Sequence, residues 1–565
     1  MFIKVTASGS RRYVQLVEAF RDESGAPKQR TVATLGRLDQ LSTGLESVIS
    51  GLLRVTGRSL PTAAEPVVEF ESARDYGDVW ALTELWNSLG FDRLRTVFRR
   101  TRHSIDVETL LRVMVFNRLC NPDSKLGVLR WLETVSLPGL AGHSPIEHQH
   151  LLRAMDALVA QQVGVDKVIA GLLRPLVDHD LAVVFYDMTT IGTEGLSQQE
   201  GDLRQFGMSK EGAIARQVML GVVQTADGLP LHHEIFEGNT GEVGTLKPII
   251  ETIVGRYPVK RIIAVADRGL LSIDNLQDLK AMKLPNGNPL EFILAVPGRR
   301  YSEFVDLLAP VHAQCANAQQ ELLSEVPWNK LRLVLAHDPQ AAALASAKRD
   351  GLIQKLQEHA ALWVGKLDEQ DGGKRSRGRK LSDGGARARF YHEVCEAHLS
   401  RIVRVDLKSE LFSYAIDDKA LAHARLMDGK LLLVTNTADL STQEVVERYK
   451  SLADIERGFR VLKSEIEIGP VYHRLPERIR AHVAICFMAL ILYRVMRARL
   501  RQQGEQAGLS PERALAKLRR IQHQKIVLNK TQPVTGLSTI TQEHASILAT
   551  LAIKKPTLDP QLSLL

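Results

Sequence analysis

Three acidic residues stand where carboxylates can do metal chemistry. Asp187 ends the apolar run Ala182-Val183-Val184-Phe185-Tyr186, Asp267 ends the run Ile262-Ile263-Ala264-Val265-Ala266, and Glu456 lies within a long helical pattern. Short, unbroken apolar runs of this kind read as buried strands. Two strand ends and one helix would then carry the three carboxylates. Hard divalent cations prefer oxygen ligands, and a pair of them can drive in-line displacement at a phosphodiester. The acids are far apart along the chain, so only the fold can bring them together.

At 565 residues the chain exceeds one core, and roughly three or four domains of about 150 residues are expected. Hydrophobic residues make up 44%, enough for well-packed interiors. The formal charge of +8 and pI near 9.2 favour a polyanionic partner, although charge this diluted does not by itself decide for nucleic acid. Cys120, Cys315, Cys395 and Cys486 show no metal-ligand spacing, which reads as a reduced cytosolic protein. The N-terminus lacks the apolar core of a signal peptide. The most apolar later stretch, 483–493, is too short to cross a bilayer and is followed by Arg494, Arg497 and Arg499, so it reads as a buried helix and no membrane partner is expected. No glycine loop with a lysine for phosphates occurs, which argues against a nucleotide cofactor.

The elements that must position the acids can be read along the chain. Residues 13–20 alternate as a strand, turn at Glu23-Ser24-Gly25 and resume over 30–35, a β-hairpin unit. From 75 to 173 the pattern is helical, with charge at Arg93, Arg95, Arg99, Arg100 and Arg102. This is either a DNA-binding module or an ordinary helical domain with a solvated basic edge. After the strand ending at Asp187, strands over 217–224 and 229–236 flank the turn Ala226-Asp227-Gly228. A helix over 243–255, the strand ending at Asp267, a helix over 272–282 capped by Ser272 and a strand over 292–296 follow. The order β-β-β-α-β-α-β is that of a ribonuclease-H-like fold, whose first and fourth strands are neighbours, so Asp187 and Asp267 would face each other.

Between 299 and 428 the pattern changes. A helical run over 341–362 precedes a basic, glycine-rich stretch holding Lys374, Arg375, Arg377, Arg379, Lys380, Arg387 and Arg389. It reads as an exposed loop of an insertion, suited to a DNA backbone or serving only as a solvated linker. Trp328 would either stack on a flipped base or, the commoner fate of a tryptophan, sit in a core. In 442–468, at about 100° per residue, Ile455, Phe459, Leu462 and Ile466 form one apolar stripe, and Tyr449, Leu452, Glu456 and Lys463 lie along its flank. A carboxylate beside a buried face needs a compensating charge or metal. For Glu456 that is either Lys463 or Arg460, or a metal shared with Asp187 and Asp267. His232 and His233 adjoin on a strand and point to opposite faces, so they form no local metal pair.

The stretch 449–464 resembles the Y-x2-R-x3-E-x6-K signature of DDE transposases from bacterial insertion sequences, matching at Tyr449, Glu456 and Lys463 and departing at Leu452, where the signature has arginine. Tyr186-Asp187-Met188-Thr189, Ala266-Asp267-Arg268-Gly269 and Gly238-Asn239-Thr240 match as well, and Tyr13-Val14-Gln15-Leu16-Val17-Glu18 with Leu35-Gly36-Arg37 is similar to the group's N-terminal unit. The resemblance implies an α/β protein: a ribonuclease-H-like mixed sheet flanked by helices, interrupted by an inserted domain, with N-terminal β-hairpin and helical domains. The expected division is 1–60, N-terminal β unit; 61–175, helical and DNA-binding; 176–300, first part of the catalytic core; 301–430, insertion; 431–500, second part with the glutamate helix; and 501–565, a C-terminal helical tail.

It further implies that Asp187, Asp267 and Glu456 are catalytic and hold two Mg²⁺ ions, for which Mn²⁺ can substitute. Tyr449, Lys463, Arg460 and the basic run Lys374, Arg375, Arg377, Arg379 and Lys380 would meet DNA, and Arg268 would either join them or brace the sheet. The implied activity is metal-dependent cleavage at element ends and strand transfer into target DNA. The implied partners are double-stranded DNA, as terminal inverted repeats and target, and a second copy in a synaptic homodimer in the bacterial cytoplasm at the nucleoid. The rival readings are a non-catalytic, transposase-derived DNA-binding protein, a ribonuclease-H-like nuclease that never joins, and a recombinase using Tyr449 as a covalent nucleophile.

Overall fold

The computed structural model describes residues 1–41, 45–57, 68–99, 106–140, 144–177, 182–195, 197–209, 212–257, 259–267, 273–373, 380–502, 508–528 and 533–557. The chain forms two units: Met1–Ala73 with Gln524–Gly536, and Arg74–His523 with Leu537–Leu558.

In the first unit, β1 (Phe2–Ser8), β2 (Arg11–Arg21) and β3 (Pro27–Arg37) make an antiparallel meander, one strand more than the expected hairpin. Gly25, at φ +83°, turns the chain between β2 and β3, a conformation open to glycine because it lacks a Cβ. Helices α1 (Leu38–Leu41) and α2 (Leu45–Val55) and strand β4 (Val68–Asp75) follow.

The second unit begins with α3 (Gly77–Leu89), α4 (Leu94–Phe98), α5 (Val107–Cys120), α6 (Lys125–Thr134), α7 (His148–Ala160) and α8 (Gln162–Leu173). Glu108 on α5 is buried, receiving hydrogen bonds from Trp86 Nε1 (2.7 Å) and Arg95 Nε (2.8 Å). Burial pushes its carboxyl upward, and the Arg112 and Arg95 charges oppose that shift. Arg95, part of the basic edge, is thus committed to the fold, and Arg100 and Arg102 lie outside the described residues. These helices share one hydrophobic core with the sheet that follows.

That sheet is large and mixed. Its strands and intervening helices are β5 (Ala182–Gly192), β6 (Gln205–Met208), β7 (Ile214–Thr225), β8 (Pro230–Glu237), α9 (Leu246–Arg256), β9 (Ile262–Ala266), α10 (Ile273–Ala281), β10 (Glu291–Ala295), α11 (Val305–Ala316), β11 (Leu322–Trp328) and β12 (Leu331–His337). The sheet reads β11-β12-β15-β10-β9-β5-β7-β6, with β8 also on β7, where β15 is Lys430–Thr435. The first and fourth strands of the expected series, β5 and β9, are neighbours and run parallel. Strands β11 and β12 correct the reading of 301–430 as insertion throughout. The apolar residues Leu333, Val334 and Leu335 of β12 are buried and pair with β15, so this hairpin extends the sheet. Ser272, the expected cap of α10, lies outside the described residues.

The chain leaves the sheet after His337 and returns at Lys430, and these two residues face each other in the ladder. Between them α12 (Pro339–Asp371), α13 (Asp383–Glu396), β13 (Val403–Val405), β14 (Tyr414–Ile416) and α14 (Asp418–Met427) close around their own core of Ile353, Leu356, Phe390, Val394 and Val403. The expected single helix over 442–468 is two, α15 (Thr442–Lys450) and α16 (Ala453–Ser464), separated at Ser451-Leu452. Helix α17 (Pro476–Gln502) is longer than the apolar run 483–493, because the arginines that seemed to end it continue the helix. By length and hydropathy it could cross a membrane, but 94% of that window is buried inside the protein. After it come α18 (Pro511–Leu518), β16 (Gln522–Leu528), β17 (Pro533–Leu537) and α19 (Gln542–Thr550). The C-terminal stretch is therefore not all helical, since β16 and β17 form a three-stranded sheet with β4.

The loop after β5 is pinned by buried charge. Asp202 accepts from Arg204 Nη2 (2.7 Å) and Arg216 Nη2 (2.9 Å), and Ser197 O accepts from both guanidiniums. Hydrogen bonding from Arg204 holds the Asp202 carboxyl below its usual range. Asp202→Ala should cost about 3–5 kcal/mol by stranding two buried cations, read as a lower urea midpoint. In the parent protein this contribution is complete above about pH 3.9, the unfolded carboxylate value, and is lost as pH falls through the lower folded value.

Candidate active site

Strands β5 and β9 pair in register through Tyr186 and Ala266, and Asp187 and Asp267 are the next residues on each. Equivalent positions on parallel neighbours, about 4.8 Å apart, point to the same face. Both acids are half-buried. Asp187 Oδ1 accepts the Met188 N–H at 2.7 Å. Just before it, the buried Tyr186 hydroxyl meets Thr245 Oγ1 at 2.7 Å. Its ring fits because Gly221 lies beside it, where a Cβ would stand 2.9 Å away. Arg261, ahead of β9, bonds Glu291 and Asp439, each at 2.7 Å, and fixes this strand against β10 and the segment leading to α15.

Helix α15 starts with a capping box, Ser441 with Glu444, which satisfies two otherwise orphaned N–H groups. It is tied to β11 by Thr442 to Glu325 (3.1 Å) and to the residue before β11 by Lys450 to Glu321 (2.6 Å). The helix thereby aims Tyr449 at the sheet, and its hydroxyl donates to Asp267 Oδ1 at 2.6 Å. The tyrosine expected against DNA is bonded to a candidate metal ligand.

Helix α16 buries Ile455, Phe459 and Leu462 of the expected stripe and packs on β5, and Ile466, two residues past its end, is buried as well. Gly458 faces Gln224 of β7 and Arg494 of α17 so closely that a Cβ would meet them at 3.2 and 2.9 Å. Glu456 is two residues, or about 200°, around the helix from Gly458, on the flank away from β7. Glu456 and Arg460 are exposed, and Lys463 is half-buried. Leu452 is buried in the core, so an apolar contact occupies the signature's arginine position. The structure brings Asp187 and Asp267 together but does not close Glu456 onto them: among the described residues no group of three Asp, Glu, His or Cys is poised to hold an ion.

Two family profiles match the chain: the IS1634 family transposase N-terminal domain over residues 3–65, and the transposase DDE domain over residues 345–492. The two matches support a DDE transposase of an insertion sequence. No curated protein matches it. The first profile covers the β1–β3 meander, and the second runs from α12 into α17 and contains Glu456, whereas Asp187 and Asp267 precede it. DDE domains generally use divalent metal ions, and transposases bind DNA.

Other expectations for the transposase resolve more simply. Trp328 packs edge-on against Phe304 at 5.1 Å and lies partly buried on the core, away from a base-stacking role. His232 contacts Arg256 at 3.0 Å, and His233 packs on Phe487 at 4.3 Å, its pKa pushed down to about 3 by burial. Lys380 is exposed, while Arg268, Lys374, Arg375, Arg377 and Arg379 lie outside the described residues. Sequence reading missed the Tyr449 to Asp267 bond, since the signature's spacing names the tyrosine but not where it turns. Tyr449→Phe should weaken divalent-metal activation about 10- to 100-fold with DNA affinity unchanged, measured by metal titration of cleavage beside a binding isotherm. A loss confined to DNA affinity would contradict this.

Proposed function

We propose that Asp187, Asp267 and Glu456 hold two Mg²⁺ ions, replaceable by Mn²⁺, and that the transposase uses this site to cut at its element's terminal inverted repeats and join the ends to target DNA. The observation that carries the reading is the pair of carboxylates at matching ends of in-register parallel strands, one of them oriented by Tyr449. An all-oxygen donor set suits Mg²⁺. Bound there, paired cations would activate the attacking oxygen and stabilise the leaving one.

The chain's own residues do the positioning. Asp187, on β5 between β9 and β7, would hold the ions from the sheet, while Tyr449 restrains Asp267. Glu456 completes the set when DNA meets the exposed flank of α16 and draws its carboxylate toward the strands. Lys463 and Arg460 on that helix, with Lys374, Arg375, Arg377, Arg379 and Lys380, contact backbone phosphates, and Arg268 either joins them or braces β9. In the first step water attacks phosphorus and the 3′-oxygen leaves as a hydroxyl. In the second, that hydroxyl attacks a target phosphodiester and displaces the target's own 3′-oxygen, so one bond forms for each broken and no ATP is required. The strand order β8-β7-β5-β9-β10 supports a ribonuclease-H-like core over 176–300 and 431–500, interrupted by the insertion. A homodimer holding two ends, in the bacterial cytoplasm at the nucleoid, completes the proposal.

Incubation with Mg²⁺ or Mn²⁺, labelled element ends and a target plasmid tests it. Cleaved ends and joined products are expected. Asp187→Asn, Asp267→Asn and Glu456→Gln should each lower both by more than about 100-fold, beyond the loss expected for a group that merely supports a ligand. Binding should persist in the variants and weaken with salt. Cutting without joining would select the nuclease, and binding without cutting the regulator. Full activity in all three variants would remove the metal assignment.

A further inference from the structure

A second place in the fold gathers charge that nothing above uses. A cleft of about 850 Å³ opens between the start of α6, the segment after α16 and α17. Lys125, the first residue of α6, lines it with 6% of its surface exposed and makes no hydrogen bond or ion pair among the described residues. Arg118, also 6% exposed, donates only to the carbonyls of Glu467 (3.2 Å) and Asp123. His482 donates through Nε2 to the Ile468 carbonyl at 2.8 Å, its Nδ1 is unpartnered, and the His473 ring lies 5.7 Å from it. Burial, then the Arg118 charge, lowers the Lys125 pKa to about 7, and burial lowers His473 to about 4.

Two carboxylates, Asp123 and Glu467, also line the cleft, but neither is paired with Lys125 among the described residues. Asp123 accepts from Ser124 N (2.6 Å) and Arg130 (3.3 Å) and covers the Gly127 side of the α6 terminus. Glu467 is exposed, and Arg478 on the rim is matched by Asp156. Burying a cation without a counter-ion is costly, and here two line the wall of an open cleft.

We propose that this cleft seats a phosphate of the DNA backbone, with Lys125 and Arg118 as its cationic wall, apart from the three acids. The assignment rests on the transposase reading for its choice of polyanion. The position fits: Val471, on the cleft, bridges Thr193 just past β5, the strand that carries Asp187. From Asp187 to the end of β5 is about 16 Å at the rise of a strand, the axial rise of roughly five base pairs of duplex. A phosphate here would hold flanking duplex while the cut is made upstream.

The test uses the full-length protein, a duplex carrying an element end and EDTA in place of divalent metal, so the acids take no part. Affinity is measured from about 50 to 200 mM salt. Lys125→Met should raise Kd about tenfold at low salt and reduce the salt slope by about one. It should melt no lower than the parent, because it removes an unpaired buried charge and keeps the apolar stem. Lys125→Arg should retain the slope. If the parent binds DNA and Lys125→Met matches it in affinity and slope, the site is wrong. Stabilisation by inorganic phosphate that depends on Lys125, without any change toward DNA, would assign the cleft to free phosphate and also overturn the proposal. A parent protein that binds no DNA would instead remove the transposase reading beneath it.

Discussion

The parallel register of β5 on β9 is the constraint on which the site depends. Side chains alternate along a strand, so a slip of one residue would send Asp267 to the opposite face from Asp187. Strands buried on both faces read as unbroken apolar runs, and here each run stops at the residue that must carry charge. Phe185 and Tyr186 face Val265 and Ala266 across the ladder, and all four are buried. Arg261 fixes one end of β9 with two carboxylates, and Gly221 leaves room for the Tyr186 ring beside the other strand's acid. The carboxylate pair follows from packing to which neither Asp187 nor Asp267 contributes.

What could be read from sequence was whatever local pattern determines. The apolar runs before Asp187 and Asp267, the turn at Ala226-Asp227-Gly228 and the stripe from Ile455 to Ile466 each imply an element, and their order implied that β5 and β9 would be neighbours. Pairing partners distant in sequence were not legible. The β11–β12 hairpin was assigned to the insertion because nothing within it announces that β15 will lie alongside. The break at Ser451-Leu452 carries neither proline nor glycine, so the helical pattern runs through it. Arg494 seemed to end a buried helix, yet it is itself buried and α17 continues past it. The bond between Tyr449 and Asp267 spans 182 residues, beyond any motif.

Two groups of buried charge differ in a way that separates structure from function. Around Asp202 the guanidiniums of Arg204 and Arg216 meet a carboxylate and backbone carbonyls inside the protein, and the cluster is closed. Around Lys125, Arg118 meets only backbone carbonyls and Lys125 has no hydrogen-bond partner among the described residues, beside open space. The first arrangement pins the loop after β5. The second leaves an electrostatic demand that an external anion can meet.

The insertion leaves the sheet at His337 and returns at Lys430, residues that face each other across one ladder. A module hung from two adjoining backbone points is a pendant. Its size is set by its own core and not by the register of the sheet it hangs from. The same attachment sets its route back into the core: β15 is its return path and leads through α15 to α16, the helix that carries Glu456.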